Sequence, residues 1–269
     1  MADYIEKAIS YFTDKGVTRG VAITYLVVGA LLAIMAIVVV VMRIVLIVKY
    51  QNANRVRTAS GKTNVEIARE ALNKAGLKDV QIKKAGFFRA FFIGNSYSTR
   101  KKIIYLRRGI YGQSTVTAIG VAMQKVGLAK ILNEGDKKIV VRNAAMMMGL
   151  IGPVLFVPLV ILGAVIDYLL FGVFGTFSVV CICIGMLFIV LSFLETLLNL
   201  PVEKKANNRA MKMVEDYNLL NEEERFLLKK VFDAYMISYV CEFIVSVLRL
   251  VQLVLEIVMN IQISNSGKE

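Results

Sequence analysis

The sequence predicts an α-helical integral membrane protein with about four transmembrane helices and a small α+β domain inserted between the first two. Three observations carry this. Of the 269 residues, 57% are apolar, where soluble domains hold about 45–50%. The apolar residues gather in long uncharged runs, as a bilayer-spanning chain requires. The charge is also one-sided. The net charge is +13, and the stretch from Lys49 to Arg142 holds 20 Lys and Arg against Glu66, Glu70, Asp79, Glu134 and Asp136.

Residues 1–20 form a short segment of mixed charge. Residues 21–48 hold the first span, uncharged from Val21 to Met42. Twenty-odd residues rising about 1.5 Å each cross a hydrocarbon core of about 30 Å. The run is too long for the apolar region of a secretory signal, and no small-residue cleavage site follows it, so the span is expected to be retained.

Residues 49–143 are expected to fold as a basic domain. Thr63-Asn64-Val65-Glu66 has capping-box spacing. Val65, Ala68, Leu72 and Ala75 then recur at helical intervals up to Gly76, a natural stop. Val80 and Ile82 alternate with polar residues as in a strand, and Lys102 to Leu106 reads as a second strand. Phe87, Phe88, Phe91, Phe92 and Ile93 form an aromatic patch, suited to a core or a membrane surface before a ligand. Ser114 to Leu132 reads as one apolar helix.

Residues 144–200 hold a transmembrane hairpin. Ala144 to Ile166 is interrupted by Pro153 and Pro158, whose freed carbonyls neighbouring helices can satisfy. Gly175 to Leu194 is the returning span, and Glu195 lies about one turn from its cytoplasmic end, where a carboxylate can snorkel, pair with a basic residue or relay protons, the interfacial role being expected. Residues 201–230 are polar and helical in pattern, residues 231–260 form a fourth apolar segment, and 261–269 a tail. Glu242, Arg249 and Glu256 are spaced by seven within that fourth segment, so they share one helix face. They read either as charges paired within a bundle or as a partner-binding stripe.

Lys and Arg counting sets the orientation. The 49–143 region and the 201–230 segment, with seven Lys and Arg, fall on one side of four spans. That side is expected to be the cytoplasm of a multi-pass plasma-membrane protein. Beside spans, the basic stretch points to anionic headgroups before nucleic acid, and no nucleic-acid partner is expected. A membrane protein partner or a second copy is. No histidine is present, which removes the commonest metal ligand and general base. Cys181, Cys183 and Cys241 lie in apolar runs without CxxC spacing, so neither a disulfide nor a thiolate metal site is expected.

Collinear pieces then carry a family resemblance: Ser60-Gly61, Ala68-Arg69, Gly76-Leu77, Asp79-Val80, Tyr97, Arg100, Leu106 and Tyr111, then Ala118-Ile119-Gly120-Val121-Ala122. After the hairpin come Leu200-Pro201-Val202-Glu203, Ala206 and Arg209-Ala210. In this order the chain resembles the bacterial membrane-bound neutral zinc metallopeptidases of the YugP type, from about Ser60 to Gln252. The resemblance implies that the basic domain is zincin-like. It also implies an H-E-x-x-H helix whose two imidazoles bind zinc while the glutamate deprotonates metal-bound water. The third ligand it implies maps onto Glu203.

Here the helix carries Gln124 and Leu128 at the two histidine positions and Lys125 at the base position, while Gly127 and Ala129 still match. The family's Asp-His-Tyr-Asp-Pro-Arg region reads Asn95-Ser96-Tyr97-Ser98-Thr99-Arg100. The expectation is a catalytically inactive homologue acting as a membrane scaffold or adaptor, with no cofactor. Lys125 could take the zinc position and pair with Glu203, or Glu203 could be a solvated residue at a helix start. Two rivals stand beside this reading. One is a peptidase, with zinc or with Ser114, Lys125 or Tyr97 as replacement groups. The other is a transport-complex subunit built on Glu195, Glu242, Arg249 and Glu256.

Overall fold

The computed structural model describes residues 2–172 and 175–266; for residues 2, 147–157, 189, 192, 264 and 265 this covers the backbone alone. Pro153 and the connecting residues 173–174 therefore lie outside the described side chains and residues. The elements run α1 (Ala2–Thr13), α2 (Arg19–Arg55), α3 (Asn64–Lys74), β1 (Gln81–Lys84), α4 (Phe87–Phe92), β2 (Ser96–Ser98), β3 (Ile103–Leu106), α5 (Val116–Asn133), α6 (Lys138–Phe171), α7 (Thr176–Asp216) and α8 (Glu222–Ser266). Among the described residues, three helices are long and apolar enough to span a membrane: α2, α7 and the Glu222–Ile263 part of α8. The described apolar part of α6, Pro158–Phe171, is shorter.

The chain divides into two compact units, residues 44–239 and the remainder. In the first, the expected helix and strands form for local reasons. Thr63 caps α3 and receives the reciprocal bond from Glu66, the full capping box. Gly76, at φ +76°, ends that helix, and the Leu77 N–H returns to the Leu72 carbonyl in a Schellman closure. β1 pairs parallel to β3, and β2 pairs antiparallel to it. α5 is buried on almost every side, so its uncharged run makes a central core helix, packed on α3, the sheet and α7. Asn64 pins the 110–118 loop, donating to the Ile110 and Ala118 carbonyls and accepting from the Gly112 N–H.

α6 and α7 pack along each other as an antiparallel pair. Gly163 permits the close approach, because a Cβ there would stand 2.9 Å from the Phe177 carbonyl oxygen. The buried Asp167 carboxylate closes the turn by accepting from the N–H groups of Gly175, Phe177 and Ser178. α7 continues through Pro201 to Asp216, beyond the boundary expected at residue 200. The proline gives up one helical hydrogen bond, and side-chain packing keeps the helix going. α8 begins with a second capping box, in which Asn221 and Glu224 exchange bonds.

In the second unit, α1 and the adjoining part of α2 pack on the end of α8. Val17, Ala22 and Met259 are buried there. The Gln262 side chain accepts from the Thr18 N–H, and Tyr25 donates to Glu256 at 3.2 Å. Gln252 also donates to Glu256, so this carboxylate is held by neutral donors. Glu242 is half-buried and Arg249 exposed along the same helix.

Candidate functional site

The site assembles where α5 meets α7 and the start of α6. Gly127 makes that meeting possible. A Cβ at this position would strike the Ala206 backbone carbonyl, so only glycine lets α5 lie this close to α7. One turn earlier on each helix, Gln124 donates to Glu203 Oε2 at 2.8 Å. Arg142, at the start of α6, donates from Nη1 to Glu203 Oε1 at 3.0 Å and to Asn199 Oδ1 at 3.3 Å.

Glu203 is therefore a buried acid in mid-helix, 2% exposed, and not a solvated residue at a helix start. Its ion pair is with Arg142, and both side chains are almost wholly withdrawn from water. Among the described residues the hydrogen bonds to Glu203 come from Gln124 and Arg142, not from Lys125. Sequence reasoning missed Arg142, one of 20 basic residues in its stretch. The available signal was its place as the last charge before the uncharged run beginning at Asn143.

Lys125 is itself 8% exposed. Burial pushes its ammonium below the ordinary lysine range; the Glu203 charge opposes the shift and the Arg142 charge adds to it. A lysine that binds its proton less tightly in the folded chain makes stability rise with pH, between its folded pKa and the ordinary 10.5. The penalty is fully present below that window. Lys125→Met keeps the length of the side chain and removes the charge. The variant is expected to melt at a higher temperature than the parent and to lose this pH slope, measured by thermal unfolding in detergent across neutral to alkaline pH. A lower melting temperature would show that the ammonium is held by a favourable partner.

These groups line a cavity of about 520 Å³. Lys125, Leu128, Arg142, Asn199 and Glu203 form one wall, Asn95 to Arg100 another, and Met146, Glu195 and Tyr239 lie at its border with the apolar helices. The structure thus brings Lys125, Leu128, Glu195 and Glu203 together. Gln124 donates to Glu203 without itself lining the cavity. Glu242, Arg249 and Glu256 belong to the other unit. Asn95 Oδ1 accepts from the Arg107 N–H, and Asn143 donates to the Tyr97 carbonyl, which fixes the 95–100 wall. Burial raises the Tyr97 phenol to about 12. Ser114 does not line the cavity; its carbonyl accepts from the Thr58 N–H.

The model of the family described as "putative neutral zinc metallopeptidase" matches residues 24–258. The chain belongs to this family. A relative from Bacillus subtilis (strain 168), named "Putative membrane protease YugP", is 26% identical over 211 residues, which cover 77% of this chain and 85% of the relative. No solved structure matches.

The family's zinc is tested here by the donor set. At the three positions the resemblance assigns to ligands stand a neutral amide, an alkyl chain and one carboxylate that already carries a guanidinium. Zinc takes imidazole, thiolate or carboxylate donors, and two buried cationic side chains beside the acid oppose a divalent ion. Among the described residues no group of three or more His, Cys, Asp or Glu could hold a metal ion. The residues at this site do not fit zinc.

Proposed function

We propose that this member of the zinc metallopeptidase family has a silent active site and works as a membrane scaffold or adaptor. One observation carries the reading: the acid in the third-ligand position is bound on both oxygens, by Gln124 and by Arg142. Those two bonds hold both oxygens toward protein donors, and Arg142 supplies the positive charge that a metal would have supplied. The cavity, however, remains open beside them, lined by polar and apolar side chains together. A cleft that keeps its shape and loses its chemistry suits holding a peptide or a partner segment without cutting it.

A peptidase working by other means finds less support. Tyr97 is pushed away from ionisation, Ser114 lies outside the cavity, and the acid whose charge acts on Lys125, Glu203, is engaged by Gln124 and Arg142. The multi-pass topology with four spans, the plasma membrane and a cytoplasmic basic domain belong to the same proposal. They are supported by the three long apolar helices and by the clustering of Lys and Arg in the 49–143 region.

The test is direct. Protein purified from membranes in zinc-containing buffer is expected to carry no stoichiometric zinc and to leave casein uncut, with or without a chelator. One zinc per chain, or casein cleavage abolished by Lys125→Ala or Gln124→Ala, would overturn the reading.

A further inference from the structure

The four phenylalanines of α4 are unassigned by anything in the site. They occupy positions 87, 88, 91 and 92, which at 100° per residue places them on one side of the helix. Their exposures are 75%, 75%, 71% and 62%, and no residue of α4 is buried. The rings touch one another, Phe87 stacked on Phe91 and Phe91 edge-on to Phe92, and they belong to no core cluster. The opposite side of α4 is fastened to the sheet. Arg89 lies over the Tyr105 ring at 4.0 Å, so the phenylalanine face is turned away from the domain by construction.

The level at which α4 sits is fixed by the cavity. Arg89 and Ile93 line it together with Ala144 and Met146 of α6 and Glu195 of α7. Ala144, Met146 and Glu195 mark the domain end of the uncharged run in each of the two helices. After Arg142 no charge occurs in α6 until Asp167, and before Glu195 none occurs in α7. The aromatic face therefore stands at the height where polar domain gives way to membrane-spanning helix. Lys83 and Lys84 precede it, in a stretch where cations outnumber anions four to one.

We propose that α4 lies in the bilayer interface, its phenylalanine face inserted among acyl chains at the headgroup boundary, with anionic lipid attracted by the flanking lysines. Apolar rings beside basic residues are the chemistry of an interfacial helix. A solvated face of four phenylalanines on an isolated domain would be an aggregation liability. Insertion also places the mouth of the cavity at the membrane surface, so that what enters it comes from segments lying close to the bilayer. This inference does not depend on the site being silent.

The chain contains no tryptophan, so single introduced indoles report without background. Phe88→Trp and Phe91→Trp are to be compared with Phe226→Trp, an exposed position thirteen residues before the cavity-lining Tyr239 on α8, about 20 Å along the helix. Each full-length variant is reconstituted in phosphatidylcholine vesicles, with and without phosphatidylglycerol, carrying acyl chains brominated near the headgroup. The indoles introduced at positions 88 and 91 are expected to be blue-shifted and quenched at least about twofold more than the one at position 226, and more so with the anionic lipid. Water-exposed emission and control-level quenching at both positions would overturn the proposal. So would indoles that escape quenching as protein density rises, the sign of a second copy covering the face.

Discussion

A chain carrying Gln124→His, Lys125→Glu, Leu128→His and Arg142→Leu is expected to take up one zinc ion, and the triple variant that retains Arg142 is expected to bind it far more weakly. Gln124 already touches Glu203 at 2.8 Å, and Leu128 lines the same wall one turn along α5. Two imidazoles at these positions would thus face the acid across a gap held by the Gly127–Ala206 contact. With Arg142 in place, however, Glu203 remains committed to a guanidinium. A cation beside the ligand opposes the metal charge and competes for its lone pair. The difference should reach about 10–100-fold in affinity, the usual scale for groups that control a ligand from behind. Competition against a chelating dye measures it. Equal affinity in the triple and quadruple variants would show that Arg142 does not control the site.

The second large effect concerns stability. Glu203→Ala or Arg142→Ala alone is expected to cost about 3–5 kcal/mol, because each leaves an uncompensated charge in a buried setting. Replacing both with apolar side chains of similar volume, Glu203→Leu with Arg142→Met, should recover most of that loss, since neither charge then needs solvating. The cycle between these two positions is expected to show strong coupling. The cycle between Lys125 and Glu203 should be nearer to additive, since no hydrogen bond or close ion pair joins them. Unfolding in mixed micelles, followed by the accessibility of Cys241, supplies the free energies. Stronger coupling for Lys125 than for Arg142 would reverse the assignment of the pair.

Local signals in the sequence carried well into the structure. The capping box at Thr63–Glu66, the stop at Gly76, the strand at Ile103–Leu106 and the long apolar helix through Gly127 are each decided by neighbouring residues. The pairing of Glu203 is decided by tertiary geometry. Arg142 lies 61 residues away in the chain, and its place as the last charge before an uncharged run marks a helix boundary without naming its partner. The zinc-family resemblance drew attention to Lys125, at the position of the lost base, because a resemblance compares positions and not the distances between side chains in the fold. β2 escaped because three residues are too few for alternation to register, and its Ser96-Tyr97-Ser98 pairs only through β3. The unbroken course of α7 past Pro201 was hidden by the proline itself, which reads locally as an end.

Because α7 is one continuous helix from Thr176 to Asp216, the acid that organises the cavity and the apolar segment below it share a single rod. Glu195 and Glu203 are eight residues apart, about 12 Å of axial rise. The height of the pocket floor above the hydrocarbon is thus a fixed ruler length written into the backbone. No hinge loop intervenes to lengthen or shorten it. On the proposed adaptor role, that fixed length would select partners by reach as well as by sequence: a tethered chain that emerges beside the pocket would already stand at the right elevation, and one whose recognisable stretch begins far from its own membrane anchor would have to loop back.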